Sequence, residues 1–403
     1  MKILLINLPE PERIGQKRTL QPPIGLWSIR EHLQQLSVEC IICDMNAGDY
    51  ERDYLGDNWD AVGISARFSI QHAMYKHVAA MPWKGPIVAG GFHAAAVEKP
   101  PGVAMICRHG HGENFFSDLF GLPILPFSEL PFPMFAHSEI ERIWERGLPH
   151  DLASKTARWI PIETSRGCNR QCGFCGVPRY WGAWEGISAE DFADHLDYLR
   201  GRHGIGEVMI EDDNVAHIGW RFSRMVKSMA ERGIAWSTPN GIPVRAVMRL
   251  LPDIVGSSCW RLSLPFETGN PYSAELMGLG SKWVNYPEAA ALVGELKAAG
   301  IRICGFFIIG YPGEHMREVR QTLDFANGLP LDDRHVYCAT PYPGTKLYDD
   351  ARREGWLKVD GEKLYEQLAY QHALLETPWL RAEEVEAERE ADREAAMVRK
   401  NNA

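Results

Sequence analysis

The sequence predicts an α/β protein with two successive series of parallel strands and a helical C-terminal tail. Short apolar runs alternate with segments that carry apolar residues at helical spacing, over residues 1–120 and again over residues 159–350. Strands separated by helical segments of this length are typical of parallel βαβ units. A proline-rich range, residues 121–158, is predicted to be a linker between two domains. Residues 351–403 are predicted to form a helical C-terminal extension, within which residues 381–400 interleave Glu and Arg in a largely solvated pattern.

The first series predicts a Rossmann-like, doubly wound open sheet, whose ligands bind beyond the carboxyl ends of the strands. Helical spacing predicts helices over residues 24–36 and 70–81. The first strand is not followed by G-x-G-x-x-G, so a dinucleotide site is not favoured. A flavodoxin-like or response-regulator domain remains an alternative on fold grounds. The predicted strands are residues 2–8, 38–43, 61–65, 86–89 and 103–107.

The second series contains six strand-like runs, which fit a partial (β/α)6 barrel with its chemistry at the carboxyl-terminal rim. Helical segments between them cover residues 189–203, 219–232 and 286–299. The predicted strands are residues 158–163, 207–211, 235–239, 259–265, 302–309 and 335–340.

Composition narrows the class of protein. The 403 residues suffice for two domains of ordinary size, and 45% hydrophobic with 24% charged residues is typical of a globular protein. A net charge of −10 argues against a general nucleic-acid binder. No apolar run approaches the ~20 residues of a membrane span. Nine cysteines, an odd number, indicate a reducing, cytoplasmic environment rather than a disulfide framework.

Three cysteines form the most informative motif. Cys168, Cys172 and Cys175 have C-x3-C-x2-C spacing directly after an apolar strand-like run. Three such thiolates can hold three irons of a [4Fe–4S] cluster, which normally takes four cysteines, so one iron would stay open. Phe174 offers a flat apolar wall beside the last ligand. A zinc knuckle is the alternative, but no other cysteine pair supplies C-x2-C. The six remaining cysteines are interpreted as small core residues: Cys40, Cys43, Cys107, Cys259, Cys304 and Cys338.

With an aromatic residue just before its last cysteine, this motif resembles that of the radical S-adenosyl-L-methionine (SAM) enzymes. The resemblance implies that the open iron binds the amino and carboxylate groups of SAM. Reductive cleavage of SAM would then give a 5′-deoxyadenosyl radical. An electron donor such as flavodoxin or ferredoxin is the implied protein partner.

The N-terminal series is similar to the cobalamin-binding domain that precedes many radical SAM barrels. The likeness lies in P-P-x-G-L at residues 22–26, in a strand that ends at Gly90 and Gly91, and in a turn at residues 110–114. That turn resembles G-E-G-E, with His111 in place of the first glutamate, followed by Gly112 and Glu113. Glycines would let the backbone approach a flat corrin closely.

The D-x-H-x-x-G motif that supplies a histidine to cobalt is missing, so the resemblance implies cobalamin bound without a protein histidine ligand. Arg67 and Phe68, at the tip of the third strand, are candidates to face the lower side of the cobalt. The alternative for Arg67 is a solvated loop arginine. His93, His109 and His111 are interpreted as contacts of turns or of the cofactor's polar tail rather than metal ligands.

Strand ends of the second series supply candidate SAM contacts. Asp212 and Asp213 follow an apolar strand and could accept hydrogen bonds from the SAM amino group or ribose, although paired acids also suit a loop or helix N-cap. Glu267 lies in a segment that resembles the family's E-S-G-S turn, which implies a ribose or SAM contact. Phe307 and Ile308 lie in a segment that resembles the adenine pocket, where backbone contacts are implied.

The resemblance implies a cobalamin-dependent radical SAM methyltransferase that acts on a carbon centre of a small metabolite or natural-product intermediate, with a peptide less favoured. Rearrangement, cyclisation or oxidation with the same cofactors is the first alternative, and a non-catalytic cobalamin- or redox-binding protein is the second. Five aromatic residues near predicted rim positions would suit a flat substrate or the corrin, but each also suits packing. They are Tyr180, Trp181, Trp184, Trp236 and Tyr342.

Overall fold

The computed structural model describes residues 1–9, 22–146, 153–368 and 371–401. The chain divides into two compact units. Unit 1 contains residues 1–169 and 177–240, and unit 2 contains residues 170–176 and 241–403. This division does not follow the four predicted ranges, so the predicted domain boundaries stay a prediction. Among the helices of the described ranges, none combines the length and the hydropathy that crossing a bilayer requires.

The N-terminal part of unit 1 is a five-stranded parallel sheet, which confirms the prediction of a doubly wound fold. Its strand order is β2-β1-β3-β4-β5, the order of flavodoxin-like sheets. The strands are β1 (Lys2–Asn7), β2 (Glu39–Asp44), β3 (Ala61–Ser65), β4 (Ile87–Gly90) and β5 (Val103–Ile106). The central strand β1 is buried from Ile3 to Asn7 because helices cover both faces of such a sheet.

Four helices accompany this sheet: α1 (Ile24–Gln35), α2 (His72–Ala79), α3 (Phe92–Ala96) and α4 (Gly112–Phe120). Leu5, Leu33 and Phe116 belong to one core cluster, so α1 and α4 share a core with β1. A Cβ atom on Gly112 would lie 2.7 Å from Cδ1 of Ile29. Glycine at this position therefore lets α1 and α4 approach each other.

The predicted linker is not free of regular structure. Helix α5 (His137–Arg146) begins four residues after Pro133. Its Ile140 and Ile143 are buried, and Nε1 of Trp144 donates to the carbonyl of Trp159 at 2.7 Å. The density of prolines obscured this helix, because the apolar residues at helical spacing begin only beyond Pro133.

Unit 1 also holds the first strands of the second series, β6 (Trp159–Ile162), β9 (Glu207–Ile210) and β10 (Ala235–Thr238), which are parallel in the order β6-β9-β10. Two short antiparallel strands, β7 (Ser165–Arg166) and β8 (Glu185–Gly186), flank the cysteine motif. The helices here are α6 (Val177–Tyr180), α7 (Ala189–His203) and α8 (Gly219–Glu231).

Unit 2 contains β11 (Cys259–Glu267), β12 (Arg302–Ile309) and β13 (Asp333–Cys338), again parallel and in the order β11-β12-β13. Residues 382–401 confirm the predicted helical tail. The helices are α9 (Val244–Arg249), α10 (Leu251–Val255), α11 (Pro271–Leu276), α12 (Tyr286–Ala298), α13 (Met316–Gly328), α14 (Lys346–Arg353), α15 (Glu362–Gln367) and α16 (Ala382–Asn401).

Five of the six cysteines outside the motif are buried, as predicted. Cys259 is the exception, since it is only partly buried at the start of β11. Its thiol donates to the carbonyl of Arg261 at 3.7 Å. The apolar sequence around Cys259 suggested a core position, but the first residue of a strand lies at the sheet margin.

Candidate functional site

The cysteine loop of unit 2 carries Cys172 and Cys175, and its backbone is fixed by residues distant in sequence. The Gly173 N–H donates to the carbonyl of Met277 at 2.9 Å, and the Leu347 N–H donates to the carbonyl of Gly173 at 2.8 Å. The Cys175 N–H donates to the carbonyl of Cys172 at 3.1 Å, which closes a tight turn. Both cysteines are partly exposed and neither forms a disulfide. The loop is therefore held by main-chain bonds, and its two sulfur atoms are not used in disulfides.

Two glycines of the motif have steric reasons to be glycine. A Cβ atom on Gly173 would lie 2.3 Å from the Tyr311 hydroxyl oxygen. Gly167, in unit 1, has φ +82°, and a Cβ atom there would lie 2.5 Å from the carbonyl oxygen of Ala183. A larger residue at either position would force its neighbours to move, so glycine lets the loop wrap closely.

A buried ion pair lies beside the two thiols in unit 2. Nζ of Lys282 donates to Oε1 of Glu267 at 2.6 Å, and both residues are buried. Burial alone would lower the pKa of Lys282, but the negative charges of Glu267, Cys172 and Cys175 outweigh it and raise that pKa. Lys282 thus stays a cation next to the thiols, where it offsets part of the charge that metal-bound thiolates carry.

Glu267 itself occupies an unusual backbone conformation. Its φ is +66°, and the pairing of β11 with β12 shifts register between Pro265 and Glu267. A non-glycine residue in the left-handed region is uncommon, and such residues cluster at functional sites. The structure adds Lys282 as the partner of the predicted contact Glu267. Sequence reasoning missed Lys282 because no local pattern distinguishes it from a surface lysine.

Phe174 and the β12 candidates are placed within apolar surroundings of unit 2. Phe174 packs against a cluster that includes Ile308 and Tyr311, and its ring centroid is 6.0 Å from Nζ of Lys282. Phe307 is fully buried and stacks on Phe266 at a centroid distance of 5.6 Å. The Phe307 side chain thus belongs to the core, which leaves only its backbone for the implied cofactor contact.

Cys168 lies in unit 1, close to the end of β9. Nδ2 of Asn214 donates to its Sγ at 3.7 Å. Asp212 is buried, and its carboxylate accepts from the N–H and hydroxyl of Thr164 at 2.7 and 2.6 Å and from the Ser165 hydroxyl at 2.5 Å. Asp212 therefore ties the end of β9 to the segment between β6 and β7. Its predicted SAM contact stays a prediction, but the oxygens already have protein donors.

Asp213 is less completely engaged than Asp212. One of its carboxylate oxygens accepts from the Gly167 N–H at 3.1 Å, directly before Cys168. Burial raises the pKa of Asp213 to about 7, with the Gly167 hydrogen bond acting in the opposite direction. Asp212 therefore holds protein segments together, whereas Asp213 is the better candidate of the two for a SAM contact.

Glu113, whose predicted cobalamin contact stays a prediction, forms a buried ion pair within the protein. Its carboxylate accepts from the two terminal nitrogens of Arg166 at 2.9 and 3.0 Å, and both side chains are buried. Nε of Arg166 donates to Glu163 at 2.8 Å, and the guanidinium carbon lies 4.8 Å from the ring centroids of Phe127 and Trp181. Burial alone would raise the pKa of Glu113, but the Arg166 charge prevails and lowers it to about 2. Glu113 is thus the anchor of Arg166, the residue that follows β6 by four positions and precedes Cys168 by two.

Two glycines in the motifs of the N-terminal sheet, Gly91 and Gly112, lie close to other protein atoms. Gly91 has φ +96°, and a Cβ atom there would lie 2.6 Å from the carbonyl oxygen of Ala66. Its N–H donates to the Tyr180 hydroxyl at 3.3 Å. Gly112 is required by the packing of α1 on α4, as described above. At Gly90 a Cβ atom would meet nothing closer than 3.7 Å. Contacts within the protein are thus sufficient to require glycine at positions 91 and 112, and the predicted corrin contacts of these glycines stay a prediction.

Arg67 and Phe68 lie beyond the end of β3, as predicted. Their N–H groups both donate to Oε1 of Gln71, at 2.9 and 3.0 Å. The Phe68 ring is 43% exposed, and the Arg67 guanidinium carbon lies 5.1 Å from its centroid. This pair leaves a large exposed ring at the edge of the sheet where a ligand of a doubly wound fold would bind.

The three histidines of this edge all have protein partners. Nε2 of His93 is 2.9 Å from Nδ1 of His72, and its Nδ1 is 3.1 Å from the Ser69 hydroxyl. Nδ1 of His109 is 3.0 Å from the Arg179 carbonyl, and Nδ1 of His111 is 3.0 Å from a terminal nitrogen of Arg166. Burial, with the His72 charge, lowers the pKa of His93 to about 3, so its ring is neutral.

Of the five aromatic residues considered for substrate, Trp236 is fully buried and packs edge-on against Phe222. Tyr180 is buried too, with its ring 4.4 Å from that of Phe92. Trp181, Trp184 and Tyr342 are partly buried. The first two therefore act in packing, whereas the other three keep some accessible surface.

Throughout the described residues, no three His, Cys, Asp or Glu side chains are grouped so that they could hold one metal ion. A [4Fe–4S] cluster does not need such a group, because each cysteine binds a different iron.

The chain is similar to known proteins in both sequence and fold. Residues 162–326 match the sequence model of the radical SAM superfamily. The chain is 28% identical over 262 residues to cytidylyl-2-hydroxyethylphosphonate methyltransferase of Streptomyces wedmorensis, covering 62% of this chain and 48% of that protein. It thus spans about half the length of that relative. It is 26% identical over 397 residues to an uncharacterized methyltransferase of Pyrococcus horikoshii, covering 87% of this chain and 83% of that one.

The structure is similar to that of TsrM from Kitasatospora setae, a radical SAM methyltransferase solved with cobalamin and a [4Fe–4S] cluster bound. The TM-score is 0.69, with 13% identity over 88% of this chain and 75% of TsrM. This likeness confirms the predicted fold class. The range that matches the radical SAM model includes all three cysteines of the motif.

Proposed function

We propose that the protein is a cobalamin-dependent radical SAM methyltransferase that transfers a methyl group to a carbon centre of a small molecule. The observation that carries this proposal is the C-x3-C-x2-C loop within a radical SAM domain, with two of its thiols beside the buried cation of Lys282. The relatives named above are methyltransferases, and TsrM was solved with cobalamin and the cluster, which supports the same cofactors here.

The donor set fits an iron–sulfur cluster. Cys168, Cys172 and Cys175 would hold it, since all three are partly exposed and outside disulfides, and the backbone at Gly173 and Gly167 admits no side chain. When bound, the cluster supplies the one-electron reduction that cleaves SAM, with electrons from a donor such as flavodoxin or ferredoxin. The chain's own residues bind and orient: Lys282 holds a positive charge beside the loop.

Residues 1–120 would form the cobalamin domain, with the cofactor beyond the carboxyl ends of β1, β3 and β4. Arg67, Phe68 and Gly90 are the candidate contacts, because the first two are accessible at the end of β3 and Gly90 has open space around it. Gly91, Gly112 and Glu113 shape this edge through contacts within the protein. Asp213 and Glu267 are the candidate SAM contacts of the radical SAM domain, with Asp212 positioning the strand ends.

The test compares anaerobically reconstituted wild-type protein with the variants Cys168→Ala, Cys172→Ala and Cys175→Ala, and with Cys338→Ala as the matched buried control. Incubation with SAM and dithionite should give 5′-deoxyadenosine in the wild type and in Cys338→Ala. The three motif variants should lose cluster iron and SAM cleavage but keep cobalamin absorbance. The buried control should lose only stability, by about 1–3 kcal/mol.

A motif variant that keeps its cluster and still cleaves SAM would overturn the cluster assignment. Methyl-labelled SAM then separates the two enzyme functions in assays of candidate substrates. Label in the product together with S-adenosylhomocysteine supports methyl transfer, whereas radical turnover without label in the product supports rearrangement or oxidation.

A further inference from the structure

Tyr311 lies two residues beyond the end of β12 and is 6% exposed. Its main-chain groups are both used in the turn, since its N–H donates to Oε2 of Glu314 at 2.8 Å and its carbonyl accepts from the Glu314 N–H at 3.0 Å. Its hydroxyl, in contrast, makes no hydrogen bond to any residue of the described ranges. The oxygen is not among the fully buried polar atoms that lack a partner, so an acceptor from a bound group can reach this hydroxyl.

The direction of the hydroxyl is fixed by Gly173. The oxygen lies 2.3 Å, and the ring carbon that bears it 3.5 Å, from where a Cβ atom on Gly173 would stand. Gly173 follows Cys172 and precedes Cys175 by two residues. The Cys172 side chain packs against the same apolar cluster that contains Tyr311. The phenol therefore points at the loop between two ligand cysteines.

Other groups nearby do not explain the hydroxyl. Asp350, whose charge raises the pKa of Tyr311 together with burial and Cys172, is already engaged by Lys346 and by Arg353. Since burial is the largest cause of that rise, the phenol keeps its proton at neutral pH and can only donate to an anion. Because the hydroxyl points at the cysteine loop, the acceptors that remain for it are sulfur atoms at that loop.

We propose that the Tyr311 hydroxyl donates a hydrogen bond to a sulfur of the cluster held at Cys172 and Cys175, and so makes the cluster easier to reduce. This inference rests on the proposed function. Hydrogen bonds to cluster sulfurs are among the factors that set the reduction potential. They favour the reduced state, because it carries one more negative charge than the oxidised state. Tyr311 is thus a positioning residue that acts through the cluster.

The test is a redox titration of the reconstituted full-length protein, without SAM, followed by electron paramagnetic resonance. Tyr311→Phe should lower the reduction potential, so that the ratio of reduced to oxidised cluster at a fixed potential falls roughly fivefold, the effect of one neutral hydrogen bond. The matched control is Tyr272→Phe, which removes a half-exposed hydroxyl bonded to the Gly313 carbonyl in the same region. It should leave the potential unchanged.

A second substitution keeps the aromatic ring and should shift the reduction potential in the opposite direction. Replacement of Tyr311 by 3-fluorotyrosine, a stronger donor of nearly the same shape, should raise the potential. Equal potentials in wild type, Tyr311→Phe and the fluorotyrosine protein would overturn the inference. So would a Tyr272→Phe shift as large as that of Tyr311→Phe. A wild-type protein that assembles no cluster would instead contradict the proposed function, which keeps the two failures distinct.

Discussion

Two turns of the molecule, one in each unit, place a buried glutamate beyond a parallel strand, yet the two carboxyl groups behave oppositely. Glu113 follows β5 and is 1% exposed, and Glu314 follows β12 and is 0% exposed. Burial would raise the pKa of both. Arg166 reverses this at Glu113, whose pKa is lowered to about 2, whereas burial prevails at Glu314 and raises its pKa to about 7.

The two pKa values differ because the hydrogen-bond partners of the two carboxyl groups differ, since both groups are nearly equally buried. Within the described part of the chain, the donors to Glu314 are neutral, and they include the Ser273 hydroxyl and the Tyr311 N–H. The turn after β5 thus uses a fixed charge, which joins α4 to β7 within unit 1. The turn after β12 uses a carboxyl group that titrates near neutral pH to hold the segment that carries Tyr311. Similar positions in two α/β series therefore impose different demands on the same residue type.

The largest effect on stability should come from removing the positive charge that pairs with Glu113. Arg166→Met leaves Glu113 as an unpaired buried carboxylate and should lower the free energy of unfolding by about 3–5 kcal/mol. Urea denaturation measures this. The double variant Glu113→Gln/Arg166→Met removes both charges and should recover a large part of the loss. A loss below about 1 kcal/mol in the single variant would show that Arg166 does not stabilise the buried carboxylate.

A smaller effect on stability, which depends on pH, is expected at Glu314. Its pKa is higher in the folded than in the unfolded protein, so the folded state binds the proton more tightly. The resulting stabilisation is complete below pH ~4.5 and is lost as the pH rises through about 7, amounting to at most roughly 3 kcal/mol. Glu314→Gln should flatten the stability profile between these pH values. Profiles of equal slope in variant and wild type would contradict this assignment.

The smallest effects distinguish the two turns through single hydroxyl groups. Ser273 donates to Glu314, and Ser28 donates to Glu113. Ser273→Ala should destabilise the protein at pH 8 by roughly 1–2 kcal/mol, because the charged Glu314 has no cation to replace the lost donor. Ser28→Ala should cost only about 0.5 kcal/mol, because Arg166 remains bound to Glu113. Thermal denaturation of both variants provides the comparison, and the reverse order would refute it.

Much of the fold could be predicted because the sequence marks element ends locally. Helix α7 matches its predicted bounds since the Ser188 side chain caps its first turn and Gly204 ends it in a left-handed conformation. Strand β12 matches because eight residues of it form one apolar-rich run. Strands β7 and β8 contain two residues each, which is too short for any periodicity to reveal.

The site was predictable only where chemistry is encoded by spacing along the chain. The three motif cysteines satisfy that condition. The partner of Glu113 does not, because Arg166 lies 53 residues away and sits inside a motif that drew attention to its cysteines. Lys282 and Tyr311 were missed for the same reason, since their distance from the cysteine loop is a property of the folded unit alone.

The backbone bonds of the cysteine loop have a consequence for how the protein matures. Gly173 is held by Met277 and by Leu347, both synthesised long after the loop leaves the ribosome. A nascent chain that ends near residue 240 contains all three cysteines but lacks Met277 and Leu347, which bond to the backbone of Gly173. We therefore expect iron–sulfur loading into the fixed loop to follow synthesis of the second unit.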